Sequence, residues 1–248
     1  MAVTVDAFAS ATGLNITLTF SHTCSGTERY LVVGVSRGLS PGTITGVTYA
    51  GVAMTSIGTS AGATLVHLWG LIAPATGAND VVVTASAAGN GIVAGAISYN
   101  GVDQTTPNSG FAAAGALTVN VTSAVNDMVM DTVSSDGGVA YTPGANQTER
   151  WDVAQTGGGD SFSGAGSHEA GQATVTMSWT GGGPSPRIGA VSVEAAGGAG
   201  PAGAVAYAPN RNIQINYGGT FAGAGRGVFG RVRRPRGRWG SLRAARVI

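Results

Sequence analysis

The chain has 248 residues, enough to bury a sizeable core without disulfides or metal to staple it. Only 10% of residues are charged and all thirteen basic residues are arginine, so the surface must be built largely from Gly, Ser, Thr, Asn and Ala. A single cysteine, Cys24, excludes an internal disulfide, and no apolar run reaches the length of a membrane-spanning helix.

In chain order, Met1 to Asp6 has neither the basic nor the apolar part of a signal peptide, and neither a secretory signal nor a membrane partner is expected. Short runs rich in Val, Ile, Thr and Tyr then recur: Leu14 to Phe20, Arg29 to Val35, Thr43 to Tyr49, Thr64 to Leu71, Val81 to Ala85 and Ile92 to Tyr99. Leu117 to Val121, Met128 to Val133, Ala173 to Trp179 and Ile188 to Val193 follow. Turn signals separate them, among them Asn100-Gly101, Asp136-Gly137-Gly138 and Gly181 to Pro186. No capped apolar stripe of helical period is present. The pattern predicts an all-β fold of around ten strands over residues 1–196, a jelly-roll-like two-sheet antiparallel β-sandwich. Residues 197–211 read as a Gly/Ala/Pro linker. Residues 212–248 read as an extended basic C-terminal arm with one candidate strand, Asn212 to Tyr217.

Charge divides at the same place. Residues 1–200 hold twelve acids and four arginines, a formal −8, whereas residues 201–248 hold nine arginines and no acid, +9. Such asymmetry predicts two parts with different partners. Within the arm, Arg226, Arg231, Arg233, Arg234, Arg236, Arg238, Arg243 and Arg246 are interleaved with Phe229 and Trp239. Guanidinium groups make paired bonds to carboxylate or phosphate and stack on rings. These ten residues are the candidate partner-binding set, for an acidic protein surface or for nucleic acid, beside the plain reading of a solvated tail.

Other constellations are weaker. His22 and Cys24 share one face of a strand but do not complete a metal site. His67 lies in an apolar strand beside Trp69, and His168-Glu169 lacks the second histidine of a metalloprotease helix. No nucleophile elbow is recognised. Asp127 with Asp131, or Glu149 with Asp152, offer carboxylate pairs in what read as solvated strand edges and turns. Asp80, Asp103 and Asp136 lack a dense calcium loop, and the Gly-x-Gly-x-x-Gly spellings at Gly198 and Gly225 open no helix. Trp151, Trp179, Tyr141 and Tyr207 could form a sugar-stacking platform, with core packing the favoured reading. No catalytic residue, metal or cofactor is expected.

The stretch Val47-Thr48-Tyr49-Ala50-Gly51-Val52-Ala53-Met54-Thr55, with Val66-His67-Leu68-Trp69-Gly70-Leu71 and Ala96-Ile97-Ser98-Tyr99-Asn100-Gly101-Val102-Asp103-Gln104, resembles a β-sandwich module of tailed-phage virion proteins and bacterial surface proteins. The likeness covers about residues 40–107 and leaves out the arm. It implies a structural or adhesive part: a capsid decoration or cement protein on the virion surface, assembled in the bacterial host cytoplasm. Its expected partners are the major capsid protein or another virion protein, and further copies of itself as a homo-oligomer. A carbohydrate-binding adhesion or tail-fibre module, and a nucleic-acid-binding packaging or head-interior protein, are the alternatives.

Overall fold

Some stretches of this chain are apolar or small at every position rather than at alternate ones, and such strands are covered on both faces. Around them, the computed structural model of the protein builds four antiparallel sheets. It describes residues 1–38, 42–62, 64–87, 89, 91–157 and 161–197. The chain divides into two units, Met1–Val205 and Ala206–Ile248. Every strand described belongs to the first, and the second lies outside the described residues.

The first nine strands are β1 (Thr4–Gly13), β2 (Thr17–Cys24), β3 (Tyr30–Arg37), β4 (Ile44–Tyr49), β5 (Val52–Ala53), β6 (Thr55–Thr59), β7 (Leu65–Ile72), β8 (Gly77–Ala85) and β9 (Ile92–Asn100). The next eight are β10 (Asn108–Ala114), β11 (Thr118–Thr122), β12 (Met128–Asp136), β13 (Tyr141–Pro143), β14 (Thr148–Gln155), β15 (Phe162–Ala170), β16 (Thr174–Gly181) and β17 (Arg187–Val193). In the first half, an inner sheet β1-β9-β3-β7-β6 faces an outer sheet β2-β8-β4-β5. In the second, β10-β17-β12-β15-β14 is the inner sheet, and β11-β16-β13 the outer. Both halves follow the jelly-roll strand order, and they match one for one: β1 with β10, β9 with β17, β3 with β12, β7 with β15, β6 with β14. The expected sandwich is therefore present twice, as two rolls stacked through their inner sheets, with seventeen strands among the described residues.

The match extends to register. Val33 pairs with Ala96 and Trp69, while Asp131 pairs with Ala190 and Ser167. Gly95-Ala96-Ile97-Ser98 on β9 corresponds to Gly189-Ala190-Val191-Ser192 on β17. The edge strands β1 and β10 both carry a bulge early in their length, after Val5 and after Ser109.

Three buried clusters fill the spaces between four layers. One lies between the first roll's sheets, around Leu31, Val33, Val47, Tyr49, Trp69 and Val83. A second joins the inner sheets and includes Tyr30, Val32, Ile97, Met130, Trp151 and Val191. The third fills the second roll around Val129, Val133, Val175, Met177, Trp179 and Ile188. Strands β3, β9, β12, β15 and β17 are buried almost end to end because each inner sheet has a neighbour on both sides.

The inner sheets approach more closely than the roughly 10 Å usual for stacked sheets, because small residues face one another. The Ser36 hydroxyl donates across the gap to the Val133 carbonyl at 2.8 Å, and the Ser134 hydroxyl to the Arg37 carbonyl at 3.1 Å. A Cβ on Gly34 would stand 2.9 Å from that of Thr132, its own counterpart in the other roll. Edge contacts reciprocate: β1 lies against β14, and β10 against β6. Counterparts meeting counterparts is the contact pattern of a twofold dimer, here made within one chain.

Both ends of this body lie together. The Met1 nitrogen donates to the Ala196 carbonyl at 2.8 Å, and Val102, in the connection between the rolls, bridges to Ala195. The expected strand Leu14 to Phe20 begins later, at Thr17; Leu14 and Ile16 are exposed in the β1–β2 turn. The linker, the Asn212 to Tyr217 strand and the basic arm fall outside the described residues from 198 onward.

Trp151 shows how tight the stacking is. Its ring lies between Gly166 on the adjacent strand and Gly95 of the opposing sheet, where added Cβ atoms would come within 2.2 and 2.3 Å of it. Gly95→Ala is expected to lower unfolding free energy by about 1–3 kcal/mol through overpacking. Gly46→Ala, where nothing lies within 4 Å of an added Cβ, should change it little. Urea unfolding of the two variants checks this contrast.

Candidate functional site

None of the ten arginine-arm residues from Arg226 to Arg246 lies among the described residues, so candidate chemistry in the structure is that of the body. The histidines do not converge. His22 and Cys24 both point into the first roll, as their spacing predicts, and His22 packs edge-on against Tyr49. Burial lowers the His22 pKa to about 4, against a small opposing pull from Asp6. His67 lies edge-on to Trp69 on the same sheet face. His168 faces the seam between the rolls. Its Nδ1 accepts from Arg150 Nε at 3.0 Å, and the Arg150 guanidinium lies 4.8 Å from the centre of the Phe8 ring. Burial, then the Arg150 charge, lowers the His168 pKa to about 4, which keeps the ring neutral and able to accept. Among the described residues no three His, Cys, Asp or Glu side chains gather as a metal site.

Gly-x-Ser-x-Gly spellings do occur, at Gly34 to Gly38, Gly38 to Gly42 and Gly58 to Gly62, and the sequence reading passed over them. Ser40 lies outside the described residues, and the buried Ser60 hydroxyl accepts from the Val66 amide at 3.1 Å. Ser36 is buried near the end of β3, still paired with Val66 and Val93 on either side, with its hydroxyl engaged across the inner sheets. A nucleophile elbow needs a sharp strand-to-helix turn, and this residue has none. The aromatic residues pack as the favoured reading has it: Trp151, Trp179 and Tyr141 are all buried, and Tyr207 lies outside the described residues. Asp103 caps its own turn, accepting from the Thr105 and Thr106 amides at 2.7 and 3.0 Å.

The carboxylates differ most from expectation. Asp127 accepts from the Ala124 and Ala195 amides, both at 2.9 Å, and so fastens the end of the body. Asp152 accepts from the Tyr141 amide at 2.8 Å, while Glu149 is exposed on the edge strand β14. Asp131, expected at a solvated strand edge, is instead fully buried inside the second roll. It accepts four hydrogen bonds: from the Ser167 amide and hydroxyl at 2.8 Å each, from Trp179 Nε1 at 2.6 Å, and from Gln147 Nε2 at 3.4 Å. Gln147 also donates to the Ser167 hydroxyl and accepts from the Ser178 amide, both at 2.7 Å, tying the β13–β14 loop to this network.

Comparison of the rolls shows that the fold does not require this network. Where the second roll has Asp131, Ser167 and Glu169, the first has Val33, Trp69 and Leu71 at the same register. The bulky ring has changed strands: Trp69 on β7 packs in the first core near Ala85, whereas Ser167 on β15 leaves room for Trp179 on β16. The second roll thus surrounds a carboxylate with donors where the first is wholly apolar. Asp131 and Glu169 lie two residues apart in register on the same face, and Glu169 is nearer the open end. There Asn146, Glu169, Ala170, Gly171 and Gln172 line a cleft of about 350 Å³. Ser167, Gln147 and Glu169 escaped the sequence reading as one cluster, because the substitutions show only when the two rolls are matched by their pairing registers.

Burial pushes the Asp131 carboxyl up to about 7, the Glu169 charge adds to this, and the Trp179 and Ser167 donors pull it down. The folded value is above the unfolded 3.8, so the fold holds a proton that the unfolded chain releases between these limits. Its contribution to stability is therefore complete below about pH 4 and declines as pH rises toward 7. Asp131→Asn, although less stable at every pH, is expected to lose that part of the decline. The difference between the two stability profiles, from chemical unfolding at several pH values, measures it.

The chain matches no protein-family model, no curated protein and no solved structure.

Proposed function

We propose that the chain is a non-enzymatic structural protein of a virus particle, of the capsid decoration or cement kind, which attaches through its arginine-rich C-terminal segment. The observation that carries this reading is the division of charge: −8 over residues 1–200 and +9 over residues 201–248. A body with so few surface charges, whose largest aromatic side chains are spent on packing, offers broad neutral faces. Its outer sheets present rows of hydroxyls, Thr17, Thr19, Ser21 and Thr23 on β2, and Thr174, Thr176, Ser178 and Thr180 on β16. Cementing needs many modest contacts rather than a reactive centre. The cationic segment supplies strong attraction toward an acidic shell. The resemblance of residues 40–107 to tailed-phage virion modules supports a place on a particle, and no match adds to it.

The adhesion-module alternative loses its aromatic platform with the burial of Trp151, Trp179 and Tyr141. The nucleic-acid alternative rests on the same arginines as the docking reading, and salt dependence separates them. Neutralising several phosphates gives a steep, sequence-independent fall of affinity with salt.

Removal of residues 201–248 is expected to leave the body's unfolding midpoint nearly unchanged while abolishing its retention on purified particles. Sedimentation of particles with full-length and shortened protein tests this. Retention of the shortened form would overturn the docking role. Loss of tight, salt-sensitive DNA binding as the main consequence would favour the packaging reading.

A further inference from the structure

We propose that the cleft at the open end of the second roll binds a guanidinium group, with the Glu169 carboxylate as its anchor. Glu169 is only 7% exposed, and its Oε2 is buried with no hydrogen-bond partner among the described residues. A carboxylate oxygen shut away from water without a donor is destabilising unless a partner arrives. Asp131 shows the contrast two residues away in register: its oxygens have four donors and need nothing more.

Glu169 is not a demand of the fold. Its counterpart Leu71 packs against the apolar core of the first roll. Arg150, on β14, engages His168 and Phe8 at the seam, Arg187 donates to the Ala61 and Pro186 carbonyls, and His168 points to the opposite face of β15 from Glu169. The rest of the lining is uncharged: Asn146, Ala170, Gly171 and Gln172, two of which carry side-chain amides. One carboxylate with two amides is too few for the six to eight oxygens that a calcium ion takes. A planar guanidinium pairs with a single carboxylate through two parallel bonds, and sheds water more readily than an ammonium. The cleft, at about 350 Å³, has room for it.

Two sources carry this chemistry: an arginine of a second copy of this chain, whose last 48 residues hold nine, or an arginine of another protein. The first deepens the proposed docking role by having copies grip one another, and rests on it. The pocket itself does not.

The test is an NMR titration of the full-length protein with N-acetyl-arginine amide at mildly alkaline pH. Saturable shifts of the Ala170, Gly171 and Gln172 amides, with a dissociation constant of about 1 mM or tighter, are expected. N-acetyl-lysine amide should bind at least several-fold more weakly. Glu169→Gln should lose the response, and so should Glu169→Leu, which copies Leu71 and keeps the test usable if the amide variant folds poorly. No saturable shift, or shifts that persist in both variants, would overturn the proposal. Sedimentation of the wild type then assigns the source. Self-association that falls with added probe and in Glu169→Gln points to a second copy, and unchanged self-association to another protein. Particle retention plays no part in these readouts, so failure of the docking role and failure of the pocket are told apart.

Discussion

The fold depends on the closeness of its two inner sheets. Side-chain hydroxyls reach backbone carbonyls across that gap, which ordinary sheet spacing does not allow. Only residues as small as Gly34, Ser36, Gly95, Gly164 and Gly189 admit such an approach. The constraint explains the composition of β15, Phe-Ser-Gly-Ala-Gly-Ser-His-Glu-Ala, which is buried nearly throughout yet contains few large apolar groups. Close packing there gains dispersion contacts over the whole face and leaves little room for error. It also fixes the layer order. Each inner sheet needs a second apolar partner on its far side, and the outer sheets provide it, with their hydroxyl-bearing faces turned to water.

The same constraint set how far the sequence could be read. Strands whose side chains alternate in size, such as β4, β8 and β16, were visible from pattern alone. So were the double-faced apolar runs of β3 and β9. Strands β1, β10 and β15 were not, because Ala, Ser and Gly carry almost no periodic signal and glycine suggests a turn. In β15 the glycines are strand residues chosen for contact. The jelly-roll order was legible as a class but its duplication was not. Only short echoes such as Gly95 to Ser98 and Gly189 to Ser192 survive in sequence, whereas the pairing registers still agree.

Polar groups were harder still. Asp131 reads as an ordinary carboxylate near a strand end, and nothing local announces that Trp179, Ser167 and Gln147 converge on it from three other segments. Comparing the rolls supplies what the chain alone withholds. A fold that accepts Val33, Trp69 and Leu71 in one copy did not need Asp131, Ser167 and Glu169 in the other. Difference between copies separates what architecture requires from what has been added to it, and the additions gather in the second roll and toward one of its ends.

The meeting of Met1 and Ala196 has a topological result. A body whose entry and exit lie side by side occupies hardly more span along a polypeptide than a tight turn. It can be spliced into a surface loop of an unrelated protein, or have its ends joined and new ones cut at another bend, without stretching any strand. Architecturally the two rolls act as a bead hung from a single point, and the chain that carries the bead need not be parted to hold it.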